Sequence, residues 1–157
     1  MTAKKIFNAE EALEKMRKYC AYQERSHYEV RYKLVEIGIR GEILENIMSQ
    51  LIEEGFLDEE RFAKAYARGK FRNKQWGKQK IRLELERRKI GAYLQKKALQ
   101  EIDDDEYREV LIGILQKKKN TLLGYTEAEQ KLRLFKFAFQ RGFEAEQIYQ
   151  CIPLCFE

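Results

Sequence analysis

The sequence predicts an all-α protein: three tandem three-helix repeats forming an elongated, curved rod. Three observations carry this. Apolar residues recur at helical i, i+4 spacing. One Pro in 157 residues leaves long helices permitted almost everywhere. The chain also repeats itself roughly every fifty residues.

The repeat emerges when the chain is shifted against itself. At an offset of 51, Ser26–Leu51 lies over Gly77–Ile102, so Val30 meets Ile81, Leu34 meets Leu85 and Ile39 meets Ile90. A further offset of 53 brings Leu134, Ala138, Gly142 and Phe143 onto the same places. Each copy reads as helix, short turn, helix. Gly38 and Gly142 stand where a left-handed residue stops the first of these helices. Lys89 holds that place in the middle copy, with Gly91 near enough to relieve it.

A further helix precedes each pair, at Ala9–Gln23, Asp58–Arg72 and Asp103–Asn120. The units then run 1–56, 57–102 and 103–157. Helix starts are marked by side chains that accept from free first-turn amides. Asn8, Ser26 and Thr126 each have a Glu three residues on, and Asp58 can cap the helix after it. Gly55 and Gly124 punctuate turns. RLFKFAFQRGF (133–143) alternates like a strand, but its alignment to two clearer helices decides for helix, with Phe135, Phe137 and Phe139 packed in the core. A three-helix unit of this size has a marginal core of its own, so neighbouring units should pack together and one chain should suffice as a monomer.

Apolar residues make up 44% and aromatics 12%, too much for a disordered chain. The apolar runs are too short to span a bilayer, and MTAKKIFNAEEALEK lacks the apolar core of a signal peptide. A cytoplasmic protein without membrane contact is expected. Cys20, Cys151 and Cys155 are odd in number and form no CxxC pair, so they read as small apolar thiols. Pro153, between the last two, should end the final helix.

Nothing points to catalysis or to a cofactor. There is no phosphate loop, HExxH or GxSxG, and the single histidine, His27, offers a triad nothing to work with. Asp103, Asp104, Asp105 and Glu106 resemble a metal cluster, but at a helix start they complement the macrodipole.

Charge is the strongest functional signal. From Lys64 to Lys97, thirteen basic residues face two acidic ones, a net of +11, while the rest of the chain carries a net of −6. In the helix from Asp58, Phe62, Ala65, Tyr66 and Gly69 form the expected inward stripe. Arg61, Lys64, Arg68 and Arg72 form a basic ridge on another face; Lys70 and Lys74 are further binding candidates, Lys74 in the polar turn Asn73–Gly77. In the next helix Lys78, Arg82 and Lys89 line one flank, and Lys80 with Arg87 the other. Trp76 sits in the turn between them. Such ridges suit a phosphate backbone or an acidic protein groove. The alternative is a solvated surface with Trp76 packed in the core, a reading weakened by the scarcity of acidic partners.

Three stretches resemble the RecX family of bacterial RecA regulators: RSHYEVRYKLVEIGI (Arg25–Ile39), LIEEGFLDEERFAKAYARGK (Leu51–Lys70) and WGKQKIRLELERRKI (Trp76–Ile90). The matching positions are Ser26, Glu29, Lys33, Leu34 and Gly38 in the first. In the second they are Gly55, Leu57, Asp58, Glu59, Arg61, Phe62, Ala63 and the downstream Arg68. In the third they are Gly77, Ile81, Glu84 and Leu85. The resemblance runs from about Ala9 to Phe143. Lys89 departs from it where a Gly is common, and the end of the chain, CIPLCFE, has diverged. The resemblance implies three-helix repeats without catalysis that bind the RecA–single-stranded-DNA filament along its groove. It implies suppression of ATP hydrolysis, strand exchange and filament growth, with the basic middle facing the filament. The open alternatives are a nucleic-acid binder acting alone on single- or double-stranded DNA, and a structural scaffold.

Overall fold

The computed structural model describes residues 6–157; residues 1–5, at the start of the expected first unit and of the stretch read as lacking a leader, lie outside it. Among the described residues there are nine α-helices, a terminal 3-10 helix and no strand. The helices are α1 Ala9–Tyr22, α2 His27–Glu36, α3 Gly41–Glu53, α4 Glu59–Lys74, α5 Lys78–Arg87, α6 Ala92–Leu99, α7 Asp104–Lys119, α8 Glu127–Gln140 and α9 Ala145–Cys151. The 3-10 helix, Ile152–Phe156, holds Pro153 in its first turn, so the proline closes α9 as its missing amide requires.

Caps set the helix starts. Asn8, Ser26, Asp58, Asp103 and Thr126 each accept a hydrogen bond from the amide three residues on. The fully reciprocal capping box closes at Thr126 and Glu129. Asp103 therefore serves as a helix cap, as its place in the acidic run suggests.

The repeat is reproduced down to single hydrogen bonds. Val30, Ile81 and Leu134 are fully buried, as are Leu34, Leu85 and Ala138. The amides of Ile39, Ile90 and Phe143 return to the carbonyls of Leu34, Leu85 and Ala138 at 2.9, 3.1 and 3.2 Å. Gly38, Lys89 and Gly142 make the left-handed turn between them, at φ 90°, 62° and 98°. Gly91 gives no relief: it caps α6 with an ordinary negative φ, and Lys89 adopts the left-handed conformation itself.

The strongly packed helix pairs all lie within α1–α3, α4–α6 or α7–α9 and the 3-10 helix that ends the last group. The cores divide differently. Ala12, Met16, Val30, Leu34, Leu51 and their neighbours form one cluster in the first unit. The second and third units share another, in which Phe71, Tyr107 and Phe143 pack ring to ring with centroids 5.7 and 5.0 Å apart. Cys20, Cys151 and Cys155 are free and buried, and burial pushes the Cys20 thiol up to about 11.

Two expectations are corrected. The core side of α4 is Phe62, Ala63, Ala67 and Phe71 rather than Phe62, Ala65, Tyr66 and Gly69. The latter row lines a cleft between the first and second units. Phe135 and Phe137 do pack against the core, but Phe139 is 55% exposed, because it lies on the outer side of α8.

Candidate functional site

The basic residues of the second unit are held by α4, α5 and the turn between them. That turn is built by Gln75, whose left-handed conformation (φ 55°) stops α4 and lets the Trp76 amide return to the Lys70 carbonyl at 3.2 Å. The return fixes Trp76 half-buried against the shared core. The ammonium groups of Lys70 and Lys80 lie 5.2 and 4.5 Å from the centre of its ring. An indole face attracts cations, so Trp76 holds both ammonium groups beside its ring.

The turn is also fastened to the third unit. Gly77 donates to the Arg141 carbonyl at 2.7 Å and Gln79 to the Gly142 carbonyl at 2.9 Å. Between them the Lys78 amide donates to the Tyr107 hydroxyl, which donates in turn to Glu144. Burial, reinforced by that carboxylate, pushes the Tyr107 hydroxyl far above the ordinary phenol range, so it stays a neutral donor. The first amides of α5 are thus satisfied within the protein and are not open to an anion.

The expected ridge on α4 is broken, because two of its four cations are engaged internally. Arg61 holds Glu24 of the first unit at 2.7 Å and donates to the carbonyls of Gly55 and Phe56. Lys64 pairs with Glu101 at 3.3 Å. Three further candidates on α5 are also engaged. Lys78 reaches Asp104 at 3.4 Å and lies over the Tyr107 ring. Arg82 contacts Gln79 and Glu86, and Arg87 pairs with Glu84. The scarcity of acidic partners is therefore true only of the local sequence, since carboxylates arrive from elsewhere in the fold.

Arg68, Arg72 and Lys74 are exposed, and their side chains make no ion pair among the described residues. Together with Lys70, Trp76 and Lys80 they form the open part of the site, on late α4 and early α5. Arg72 and Lys74 also face the negative end of α4, which favours cations there whatever else they do.

Sequence grouping overlooked Arg88. It lies over the Tyr66 ring at 4.7 Å, pairs with Glu84 at 3.1 Å and reaches Glu29 of the first unit at 3.7 Å. Burial raises the Glu29 carboxyl, while Arg88 and Arg25 oppose that rise. His27 reaches Glu59 at 3.0 Å across the same junction. The cleft there has a volume of about 420 Å³, with Tyr66, Lys70, Asn73 and Arg88 in its wall. Among the described residues no cluster of His, Cys, Asp and Glu could hold a metal, and no helix is long and apolar enough to cross a membrane.

Fold and site together define an all-α tandem-repeat protein with a basic face on its middle unit. Family models for the second and third three-helix domains of RecX match residues 58–99 and 104–152. A regulatory protein RecX of Chlorobium limicola is 30% identical over 142 residues, which is 89% of this chain and 86% of that protein. The regulatory protein RecX of Lactobacillus johnsonii is 29% identical over 86% of this chain, which spans 50% of that longer protein. The chain belongs to the RecX family, whose members are named regulatory proteins. The crystal structure of RecX from Lactobacillus salivarius has the same fold, with a TM-score of 0.87 over 94% of this chain and 96% of that one at 20% identity.

Proposed function

We propose that the protein is a non-enzymatic, monomeric, cytoplasmic regulator that binds the groove of the RecA–single-stranded-DNA filament. It inhibits RecA ATP hydrolysis, strand exchange and filament extension. In this reading the units run 1–56, 57–102 and 103–157, and the middle unit meets the filament. Family membership supports the regulatory role. The carrying observation for the surface is the group Arg68, Lys70, Arg72, Lys74, Trp76 and Lys80, whose five cations make no ion pair among the described residues. Unpaired cations bind an acidic partner without first breaking a contact in the protein.

The test is the single-stranded-DNA-dependent ATPase of the cognate RecA, with the protein titrated in below the RecA concentration. Wild type should inhibit, and a folded Arg68→Glu/Arg72→Glu/Lys74→Glu variant should not. Equal inhibition by both would move the contact surface elsewhere. No inhibition by wild type would remove the RecA reading.

A second reading, a nucleic-acid binder acting alone, is favoured by one observation: two ammonium groups held beside an indole suit a phosphate backbone. It predicts salt-dependent DNA binding without RecA that the same triple variant abolishes. Lys78→Glu is a poorer probe, because it would also disturb the tie to Asp104.

A further inference from the structure

Beyond the basic face, the third unit carries an apolar strip that the function proposed above does not use. On α8 the exposed or half-exposed side chains Leu132, Phe135, Lys136 and Phe139 fall at i, i+3, i+4 and i+7. The opposite side of the same helix supplies the buried Leu134 and Ala138. The helix therefore has two apolar sides, and only one is covered by the core.

The outer side is organised. Phe135 stacks on Phe139 with centroids 5.6 Å apart and planes at 15°, and on Tyr149 of α9 at 4.8 Å and 20°. Leu132, Phe139 and Tyr149 are each more than half exposed, at 56%, 55% and 64%. A groove of about 290 Å³ opens on one side of this stack, walled by Leu132, Phe135, Tyr149, Ile152 and Pro153. A hollow of about 470 Å³ opens on the other, with Phe139 and Leu83 of α5 in its wall. Scattered exposed apolar residues need no explanation, but a contiguous row with hollows on both sides marks an interaction surface.

The rim is basic. Lys80 and Arg87 border the hollow, Lys131 borders the groove, and Lys136 stands within the row. Lys80 and Lys136 make no ion pair among the described residues. The two carboxylates in the hollow, Glu84 and Glu144, are already held by Arg87 and Arg88 and by Tyr107. Aliphatic walls at Leu83, Leu132, Ile152 and Pro153 suit the apolar knobs of a helix better than nucleobases, which need ring faces and a tracked phosphate chain.

We propose that this strip is a second docking surface, which takes an acidic amphipathic helix of a protein partner. Apolar side chains at i, i+3 or i+4, and i+7 enter the groove and hollow around the Phe135–Phe139 stack. Carboxylates along the edges of that helix meet Lys80 and Lys136; Lys131, at the groove edge, is already held by Glu127 at 3.2 Å. The proposal does not need the filament reading: Lys80 of α5 belongs to both surfaces, but the anchors are the apolar side chains of the third unit and Leu83, which the basic face does not use.

The test uses the full chain and a fluorescein-labelled synthetic helix of about 18 residues, with Leu and Phe on one side and Glu elsewhere. Its controls are the same peptide with Lys for Glu, and labelled oligothymidine. Anisotropy should show micromolar binding of the Glu peptide only. Phe139→Ser should weaken that binding by about tenfold or more, as expected for an aromatic anchor, and Lys136→Glu should also weaken it. Arg68→Glu/Arg72→Glu should leave it unchanged. Phe139 is exposed, so its variant should fold, and circular dichroism would check this. The proposal is overturned by a Glu peptide that does not bind, or that binds wild type and Phe139→Ser alike. It is equally overturned by oligothymidine binding that Phe139→Ser removes, which would make the stack a platform for bases. A wild-type dimer in sedimentation that Phe139→Ser dissociates would make the strip a self-association face and overturn it too.

Discussion

The amide of Gly77 donates to the carbonyl of Arg141 at 2.7 Å, which fastens the start of α5 to the end of α8. The approach is so close that a Cβ on Gly77 would overlap the backbone of Gly142 and Phe143. Backbone cannot swing aside as a flexible side chain can. Gly77→Ala is therefore expected to lower stability by about 1–3 kcal/mol, the usual range for overpacking. Urea unfolding followed by circular dichroism measures this, and an unchanged midpoint would contradict the close approach.

Lys89 is the reverse case. It holds a left-handed turn that glycine holds in the other two units, and its Cβ strains the backbone there. Lys89→Gly should raise stability by up to about 1 kcal/mol, the relief of strain less the extra freedom of glycine when unfolded. A thermal melt that fell instead would mean the lysine side chain contributes more than its backbone costs.

The cations of α4 should separate into two kinds. Arg61→Ala removes the Glu24 pair and two carbonyl contacts, and should cost roughly 1 kcal/mol. Arg68→Ala and Arg72→Ala should change stability by less than about 0.5 kcal/mol, as for ordinary surface substitutions. If Arg61→Ala left the unfolding midpoint unmoved, its contacts would be incidental, and the continuous ridge read from the sequence would deserve testing after all.

Acid should loosen the first unit. Hydrogen bonds from Arg17 and Gln50 hold the Glu54 carboxyl below its ordinary value of 4.5, and Arg31 does the same for Glu45. A lowered folded value means a contribution present above the ordinary value and lost as pH falls through the lowered one. Glu29 acts in the opposite sense. Its folded value is raised by burial, so its contribution is present below the ordinary value and lost as pH rises through the raised one. Unfolding midpoints taken from about pH 6 down to about pH 3 should fall, and Glu54→Gln should flatten the fall. Identical slopes for the two proteins would show that the Arg17–Glu54 pair adds nothing.

Much of the fold was legible because its signals are local. Val30 with Leu34, Ile81 with Leu85, and Leu134 with Ala138 are neighbours on one helical turn, and their repetition exposes three matching units. The core side of α4 was harder to read. Ala63 and Ala67 offer little apolar contrast against Ala65 and Gly69, and Tyr66 suits either a core or a cleft wall. The site was legible as composition but not as connection. Lys78 meets Asp104, Arg61 meets Glu24 and Arg88 meets Glu29 across unit boundaries, where no periodicity relates the partners. Phe139 was misread for a different reason: once the segment is a helix, residues two apart do not share a face, so Phe135, Phe137 and Phe139 cannot all enter one core, and the buried pair Leu134 and Ala138 sets the inner side.

The shared core of the second and third units bears on how shortened versions of this protein should be read. Cutting the chain after α6 would remove Tyr107 and Phe143 from the core around Phe71. It would also remove the Arg141 and Gly142 carbonyls that receive the first amides of α5. A deletion meant to take away one module would thus unmoor the helix that carries Lys80 and borders Trp76. Lost activity in such a fragment would then reflect a basic face no longer held in shape, even if the deleted residues never touched a partner. Point changes on the outer side of α8 leave that scaffold standing, and they are the cleaner way to ask what the third unit does.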